Sequence, residues 1–204
     1  YQGELRQEVM LEPTIISEHF PFLRQGILAG LGVGLVPDYV VQPDEVLGEE
    51  GHGFKIAMSV LDAGRIGIAS QAIGIARAAY EATLAYVNER KVFGKPLIDI
   101  QNTRFKLAEV ATQIKVGRAF MDRCVEDLVA GKLDTATASM AKYWCSDLQC
   151  KVIDECLQLH GGYGYMWEYP IARAYADARV QRIYGGTNEI MKEVIARGMG
   201  LSGR

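Results

Sequence analysis

Three short stretches of the chain combine fixed charge, backbone donors and missing side chains in ways that suit a phosphate or a flat ring. Arg90 stands where a long helical pattern ends, beside a turn containing Gly94. Its planar guanidinium suits a pyrophosphate, and it equally suits a solvated helix end. Gly161-Gly162-x-Gly164 strips Cβ atoms from the backbone, which lets it pass close to a ring or a phosphate; a plain helix C-cap explains the same glycines. Thr187-Asn188-Glu189 opens a last helical pattern. Unpaired backbone N–H groups and the positive dipole end favour anionic or carbonyl oxygen there, and Thr and Asn are also ordinary capping residues. His160, closing a helix, reads as a cation favoured by the dipole.

Such groups need a scaffold more than a charged surface. The 204 residues carry 22 Lys+Arg against 25 Asp+Glu, a formal net charge of −3. A mildly acidic chain has no electrostatic footprint for a polyphosphate backbone, so nucleic acid is not an expected partner. With 49% apolar and 23% charged residues the composition is that of a soluble domain with a proper core. No signal peptide and no run of 18 apolar residues is evident, which makes a membrane unexpected and the cytoplasm, or a mitochondrial matrix, the expected compartment. The opening Tyr1 suggests an excerpt of a longer protein. Cys124, Cys145, Cys150 and Cys156 form no C-x-x-C pair and no zinc spacing, so no metal is expected. They read as small apolar residues of a reducing compartment.

From Phe54 onward the apolar residues recur at helical spacing. A first helix is predicted over about residues 53–89, with Ile56, Val60, Ile68, Ile75, Tyr80, Leu84 and Val87 inward. Gly64, Gly67 and Gly74 within it each cost about 1 kcal/mol relative to alanine, which suggests close approach by another backbone or a ligand. A second helix is predicted over about residues 100–130, with Leu107, Val110, Ile114, Met121, Val125 and Leu128 inward, stopped by Gly131. Asp134 is a good N-cap for a third, ending near His160 before Gly161-Gly162, with Met140, Tyr143, Trp144, Leu148, Val152, Cys156 and Leu159 inward. A short helix follows Pro170, and a last one covers about residues 189–197. Long helices with short connections predict a mainly α, antiparallel up-down bundle.

Residues 1–44 read differently, as a short, incomplete α/β segment. Thr14-Ile15-Ile16 and residues 33–36 are strand candidates either side of a short helix over residues 20–31. The stretch Phe22-Leu-Arg-Gln-Gly-Ile-Leu-Ala-Gly-Leu-Gly-Val-Gly-Leu-Val-Pro-Asp-Tyr-Val-Val41 resembles part of the effector domain of LysR-type transcriptional regulators. It is too short to hold a complete effector site.

Three strings in residues 45–204 carry a second resemblance: Arg90-Lys-Val-Phe-Gly-Lys-Pro-Leu-Ile-Asp-Ile-Gln101; Gln158-Leu-His-Gly-Gly-Tyr-Gly-Tyr165 with Glu168-Tyr-Pro170; and Tyr184-Gly-Gly-Thr-Asn-Glu-Ile190 after Asp177-Ala-Arg-Val-Gln-Arg182. In this order they resemble the C-terminal helical domain of the acyl-CoA dehydrogenases, and from Gln101 on the long-chain branch. The resemblance implies FAD as cofactor, acyl-CoA as substrate, a homo-dimer or homo-tetramer, and an electron-transfer flavoprotein as acceptor. It implies that Arg90, Phe93 and Gln101 contact FAD held by a neighbouring subunit. Gln158, Leu159, His160, Gly161 and Gly162 would serve the flavin, as would Thr187, Asn188 and Glu189. It further implies that Asp62, Arg65, Tyr184 and Gly185 face the acyl-CoA.

The family reaction removes the α-proton of the thioester with a glutamate while a β-hydride passes to the flavin. Most members carry that glutamate at the position of Gly185; the long-chain and isovaleryl branches carry it at the position of Gly64. Both are glycine here, and glycine abstracts no proton; neighbouring Asp62 and Glu189 match residues with other roles. Impaired or absent turnover is therefore expected. Leu61-Asp-Ala-Gly-Arg65 follows the short-chain pattern, which expects a later base, whereas the last string follows the long-chain pattern, which expects an earlier one. A recombined or designed chimera, with its junction near residues 42–45, accounts for both losses; a helical bundle acting only as an oligomeric scaffold is the alternative.

Overall fold

The buried face of the first long helix runs through alanine rather than through its largest side chains. A computed structural model of the protein describes residues 52–201; the α/β segment read over residues 1–44 and the junction after it lie outside the described residues. Helix α1 (Gly53–Glu89) is 37 residues long. Ile66, Ala69, Ile73 and Ala76 share one stripe with Ala72, Ala79, Thr83 and Val87, all buried. Of the residues expected inward, Val87 is buried, while Ile68, Ile75, Tyr80 and Leu84 lie half-buried on the flank. Val60 is 65% exposed, which corrects its assignment to the core. Alanine lets neighbouring helices come close, and the larger residues then fill the edges of that contact.

Helix α2 (Gln101–Val129) and helix α3 (Thr135–His160) complete the long elements. The order of contacts fixes their directions. Asp62 near the start of α1 meets Thr135 at the start of α3, and Tyr86 near its end meets His160 at the end of α3. Lys106 early in α2 pairs with Glu155 late in α3 at 2.7 Å. So α1 and α3 run together and α2 runs against both. At the crossing, a Cβ on Gly117 would lie 2.6 Å from Ile73 Cδ1 and within 3.2 Å of Leu148 and Trp144. The bare backbone of α2 therefore seats these side chains. Val125, expected inward, is 41% exposed.

Helix α3 is the central element, packed by α2, α4 (Pro170–Ala178) and α5 (Asn188–Gly198). Leu148, Val152, Ile153, Cys145 and Cys156 join one cluster with Val110, Met121 and Ile171. Each fully buried Val, Leu or Ile contributes about 1.5–3 kcal/mol. All four cysteines are free thiols, and Cys124, Cys145 and Cys156 are core residues.

Local signals end the helices where the sequence places them. Asp134 caps α3 by accepting from the Thr137 backbone N–H at 2.9 Å and its hydroxyl at 2.6 Å. Gly161 ends that helix at φ 58°, the left-handed region glycine enters without a Cβ penalty. Between α1 and α2, strand β1 (Lys91–Val92) pairs antiparallel with β2 (Lys95–Pro96), Lys91 opposite Pro96. The two turn residues, Phe93 and Gly94, both have positive φ, as a tight hairpin requires. Among the described residues no helix is long and apolar enough to cross a membrane.

Candidate functional site

The residues singled out from sequence gather at two stations along α3. The first lies beside its N-terminal half. Arg65, 5% exposed, donates from Nη1 to Asp62 Oδ1 at 2.8 Å and reaches Ser139 Oγ at 3.5 Å. Asp62 Oδ2 in turn accepts from Thr135 Oγ1 at 2.6 Å. Arg65 Nε is buried with no acceptor among the described residues.

The turn at residues 183–186 closes over the same part of α1. Tyr184 donates from its hydroxyl to Gln71 Oε1 at 3.2 Å, and a Cβ on Gly185 would run into Ile68 Cδ1. Gly64 lies one helical turn before Ile68. Of the two positions at which the resemblance expects a base, Gly185 therefore packs against Ile68, whereas Gly64, on the same helix, has open space around it. Beneath the turn, Lys142 is wholly buried and donates from Nζ to the Gly186 carbonyl at 2.7 Å and to Asn188 Oδ1 at 2.8 Å. Burial pushes its pKa down, partly offset by the carboxylates of Asp147 and Glu189.

Helix α5 is tied to α3 by the same network. Thr187 is its N-cap, accepting from the Ile190 N–H at 3.4 Å. Asn188 spends its whole side chain on α3, donating from Nδ2 to Asp147 Oδ1 and Ser146 Oγ, both at 3.0 Å, while accepting from Lys142. Asp147 pairs onward with Arg182 at 2.8 Å. A cavity of about 220 Å³ opens against this helix start, lined by Asp147, Arg182, Thr187, Asn188, Glu189 and Lys192 among others. Glu189 is exposed at its mouth, and the helix-terminal N–H groups lower its pKa first of all causes.

The second station lies at the far end of α3. Arg90, Phe93 and Gln101 are exposed where α1 passes through the hairpin into α2, and Gln158, Gly161 and Gly162 are exposed at the end of α3. Arg90 has no carboxylate partner among the described residues; its guanidinium carbon sits 5.0 Å from the centre of the Tyr163 ring. Gly162 needs no positive φ and has nothing within 4 Å of the Cβ it lacks, so the described residues give no reason for glycine there. Gly164 does have an internal reason, because a Cβ would meet the Leu157 carbonyl oxygen at 2.5 Å. Leu159 is half-buried.

His160 departs from its sequence reading. It is buried, stacked on Tyr86 with ring centroids 4.1 Å apart, and its Nδ1 lies 2.8 Å from the Cys156 carbonyl, which assigns the proton to Nδ1. Burial lowers its pKa, so the ring is neutral rather than a cation at a helix end. The close approach expected at Gly64, Gly67 and Gly74 is also absent among the described residues: all three are exposed with open space around them.

The two stations are well apart. Asn188 bonds α3 around Tyr143 to Asp147; at 1.5 Å per residue, Gln158 to His160 lie about 17–26 Å further along. One small ring cannot touch both in a single chain. An extended dinucleotide, or two ligands, can. An exposed Arg90, an open Gly162 and an outward Phe93 and Gln101 fit a phosphate-bearing planar cofactor, whereas the side chains of Asn188 and His160 are already engaged within the chain. Lys142 was missed from sequence, although its signal was there. Lys142, Ser146 and Gln149 lie in phase with Ala138, Cys145 and Val152 on the buried face, so polar residues occupy core positions.

The family model described as acyl-CoA dehydrogenase, C-terminal domain, matches residues 51–200. The mitochondrial long-chain specific acyl-CoA dehydrogenase of Mus musculus is 54% identical over 160 residues, covering 78% of this chain and 37% of that protein. Among solved structures, an acyl-CoA dehydrogenase from Geobacillus kaustophilus superposes with a TM-score of 0.74 at 46% identity, over 80% of this chain and 42% of the other. Butyryl-CoA dehydrogenase from Megasphaera elsdenii gives 0.75 at 45% identity, over 78% and 42%. The chain thus spans a little over a third of the length of the curated relative.

Proposed function

The chain belongs to the acyl-CoA dehydrogenase family, and on that premise we propose that it is the flavin- and acyl-CoA-facing helical part of an FAD-dependent acyl-CoA dehydrogenase, with the proton-abstracting base lost. FAD, when bound, supplies the acceptor for a hydride from the β-carbon of the thioester. Arg90 holds the cofactor's phosphates by charge, Gly162 lets backbone approach them, and Phe93 and Gln101 bound the same surface. Asp62 and Arg65 orient the acyl-CoA. Tyr184 and the 185–186 turn, held from below by Lys142, line the thioester end.

The observation that supports this reading is that glycine stands at both positions that suit a base, Gly64 and Gly185, so neither carries a carboxylate, while the Gly185 turn packs against Ile68 of α1. Such a base has to sit within reach of the α-proton with a pKa tuned by burial, and nothing at either position can take the proton. From the family resemblance we place the cofactor between subunits of a homo-dimer or homo-tetramer, in the cytoplasm or a mitochondrial matrix. An electron-transfer flavoprotein is the proposed electron acceptor.

Flavin content of the purified protein is the test. A yellow protein that does not bleach when acyl-CoA is added anaerobically supports the reading. Bleaching would show that a base acts after all, and a colourless protein overturns the flavin assignment. A second reading, a silent oligomeric scaffold, draws on the apolar residues exposed along α2, namely Phe105, Val116, Val125 and Val129. It expects a colourless oligomer on gel filtration, and a monomer sinks it.

A further inference from the structure

Five side chains at the far end of α3 make a closed circuit that begins and ends on α1. Tyr86 stacks on His160 at 4.1 Å with 18° between the planes and donates from its hydroxyl to the His160 carbonyl at 3.2 Å. Tyr169, just before α4, sets its edge against both rings at 6.3 Å. Tyr163 stacks on Tyr169 at 5.0 Å and 23°. Arg90 lies over Tyr163, and its backbone N–H returns to the Tyr86 carbonyl at 2.8 Å, one helical turn back.

We propose that Tyr163 is a positioning residue that pre-orders the Arg90 guanidinium for an anionic, phosphate-bearing ligand at the Gly162 surface, with Tyr169, Tyr86 and His160 as its foundation. The proposal rests on the flavin reading of this station for the ligand's identity, but its geometry does not. An arginine at a helix end normally samples many rotamers, and fixing it on a phosphate costs that freedom at the moment of binding. A ring face under the guanidinium removes part of the cost beforehand, through cation–π attraction and planar stacking. A half-exposed tyrosine alone would be too mobile to do this; stacked on a ring that two further rings hold edge-on, it is not. With no carboxylate partner among the described residues, Arg90 has N–H donors to offer a ligand.

The circuit also joins four elements at one end of the bundle: α1, the end of α3, the 3₁₀ turn over Gly161–Tyr165, and the start of α4. Arg90 and Gly162 thereby belong to one preformed unit. Simple packing predicts otherwise, since a ring that only fills space would contribute to stability without ordering Arg90.

The test uses the full chain with ¹⁵N-labelled arginine, following the Arg90 Nε–H signal, assigned by its loss in Arg90→Lys. In the wild type without ligand, the signal is shifted upfield by the ring and has an order parameter above about 0.6. Tyr163→Phe keeps both properties, and Tyr163→Leu loses both. Unchanged shift and order in Tyr163→Leu overturn the proposal, whatever happens to its melting temperature. FAD titration is the second arm, with Tyr163→Leu expected to bind about 3- to 10-fold more weakly than wild type and Tyr163→Phe within about twofold. Equal FAD affinity in wild type and Tyr163→Leu also overturns it. A wild type that binds no FAD removes the flavin reading alone and leaves the arginine signal to decide the positioning role.

Discussion

Lys142 donates from Nζ to the Gly186 carbonyl at 2.7 Å while lying wholly inside the bundle. A buried ammonium is costly, and here it is compensated by two neutral acceptors and, through the Asn188 amide, by Asp147. The arrangement fixes a turn whose two glycines, at φ 65° and 97°, have no stiffness of their own.

Lys142→Met keeps the volume and removes the donor, leaving the Gly186 and Asn188 oxygens without it. Unfolding in urea is expected to show a loss of about 1–3 kcal/mol at pH 7, since an orphaned buried acceptor costs that much. Amide exchange at residues 185–188 is expected to quicken beyond the rest of α5. Equal or greater stability in the variant would mean that the buried charge costs more than its bonds return.

His160 gives the fold a pH dependence of known sign. Burial lowers its folded-state pKa below the ordinary 6.5, so the unfolded chain takes up a proton first as pH falls. The stability this ring contributes is full above about 6.5. It is lost as pH drops from there through the lower folded value. The urea midpoint of the wild type should therefore fall between pH 7 and pH 5, and His160→Phe, which keeps the stack on Tyr86, should flatten that part of the profile. An equal slope in both proteins refutes the assignment.

Gly67 and Gly74 are exposed, helical and surrounded by open space, so nothing among the described residues rewards their flexibility. Alanine at either is expected to raise stability by about 1 kcal/mol, read as a higher urea midpoint. Gly164→Ala is the contrasting case, because its Cβ would press on the Leu157 carbonyl, a backbone atom that cannot swing away. A large loss there and gains at the other two would separate a glycine the fold needs from glycines it does not. No gain at Gly67 or Gly74 would mean that another surface already covers this face of α1.

What was legible in the sequence follows from which signals are local. Asp134 marks a helix start through its side-chain acceptor, and Gly131 and Gly161 mark helix ends through their backbone freedom; each does so in the structure. The core face of α1 is legible only in part: Val87 is buried and Ile75 and Tyr80 pack against the core, but periodicity weights bulk, and the fully buried positions include Ala69, Ala72 and Ala76. His160 and Lys142 were out of reach for a different reason. Their state depends on partners 74 and 44 residues away, and no single helix carries that information. Arg90 and Gly162 can be singled out as candidates from sequence, but the Tyr163 ring beside Arg90 becomes visible only once Tyr169 is folded beneath it.

The two glycines near Ile68 differ in what a glutamate would meet. Gly64 lies in the middle of α1 with helical geometry and open space, so Gly64→Glu replaces a poor helix former with a better one. It is expected to fold with stability equal to or above wild type. Gly185 has φ 65°, a conformation that costs an L-residue about 1–2 kcal/mol, and its Cβ would also displace the Ile68 side chain. Gly185→Glu is therefore expected to lower stability by about that much and to shift the Lys142-held turn. If either change restores flavin bleaching by acyl-CoA, Gly64→Glu is the one, since it adds a carboxylate without moving the surface that receives the thioester. Bleaching by Gly185→Glu alone, at undiminished stability, would show that the turn rather than the helix is the native seat of the base.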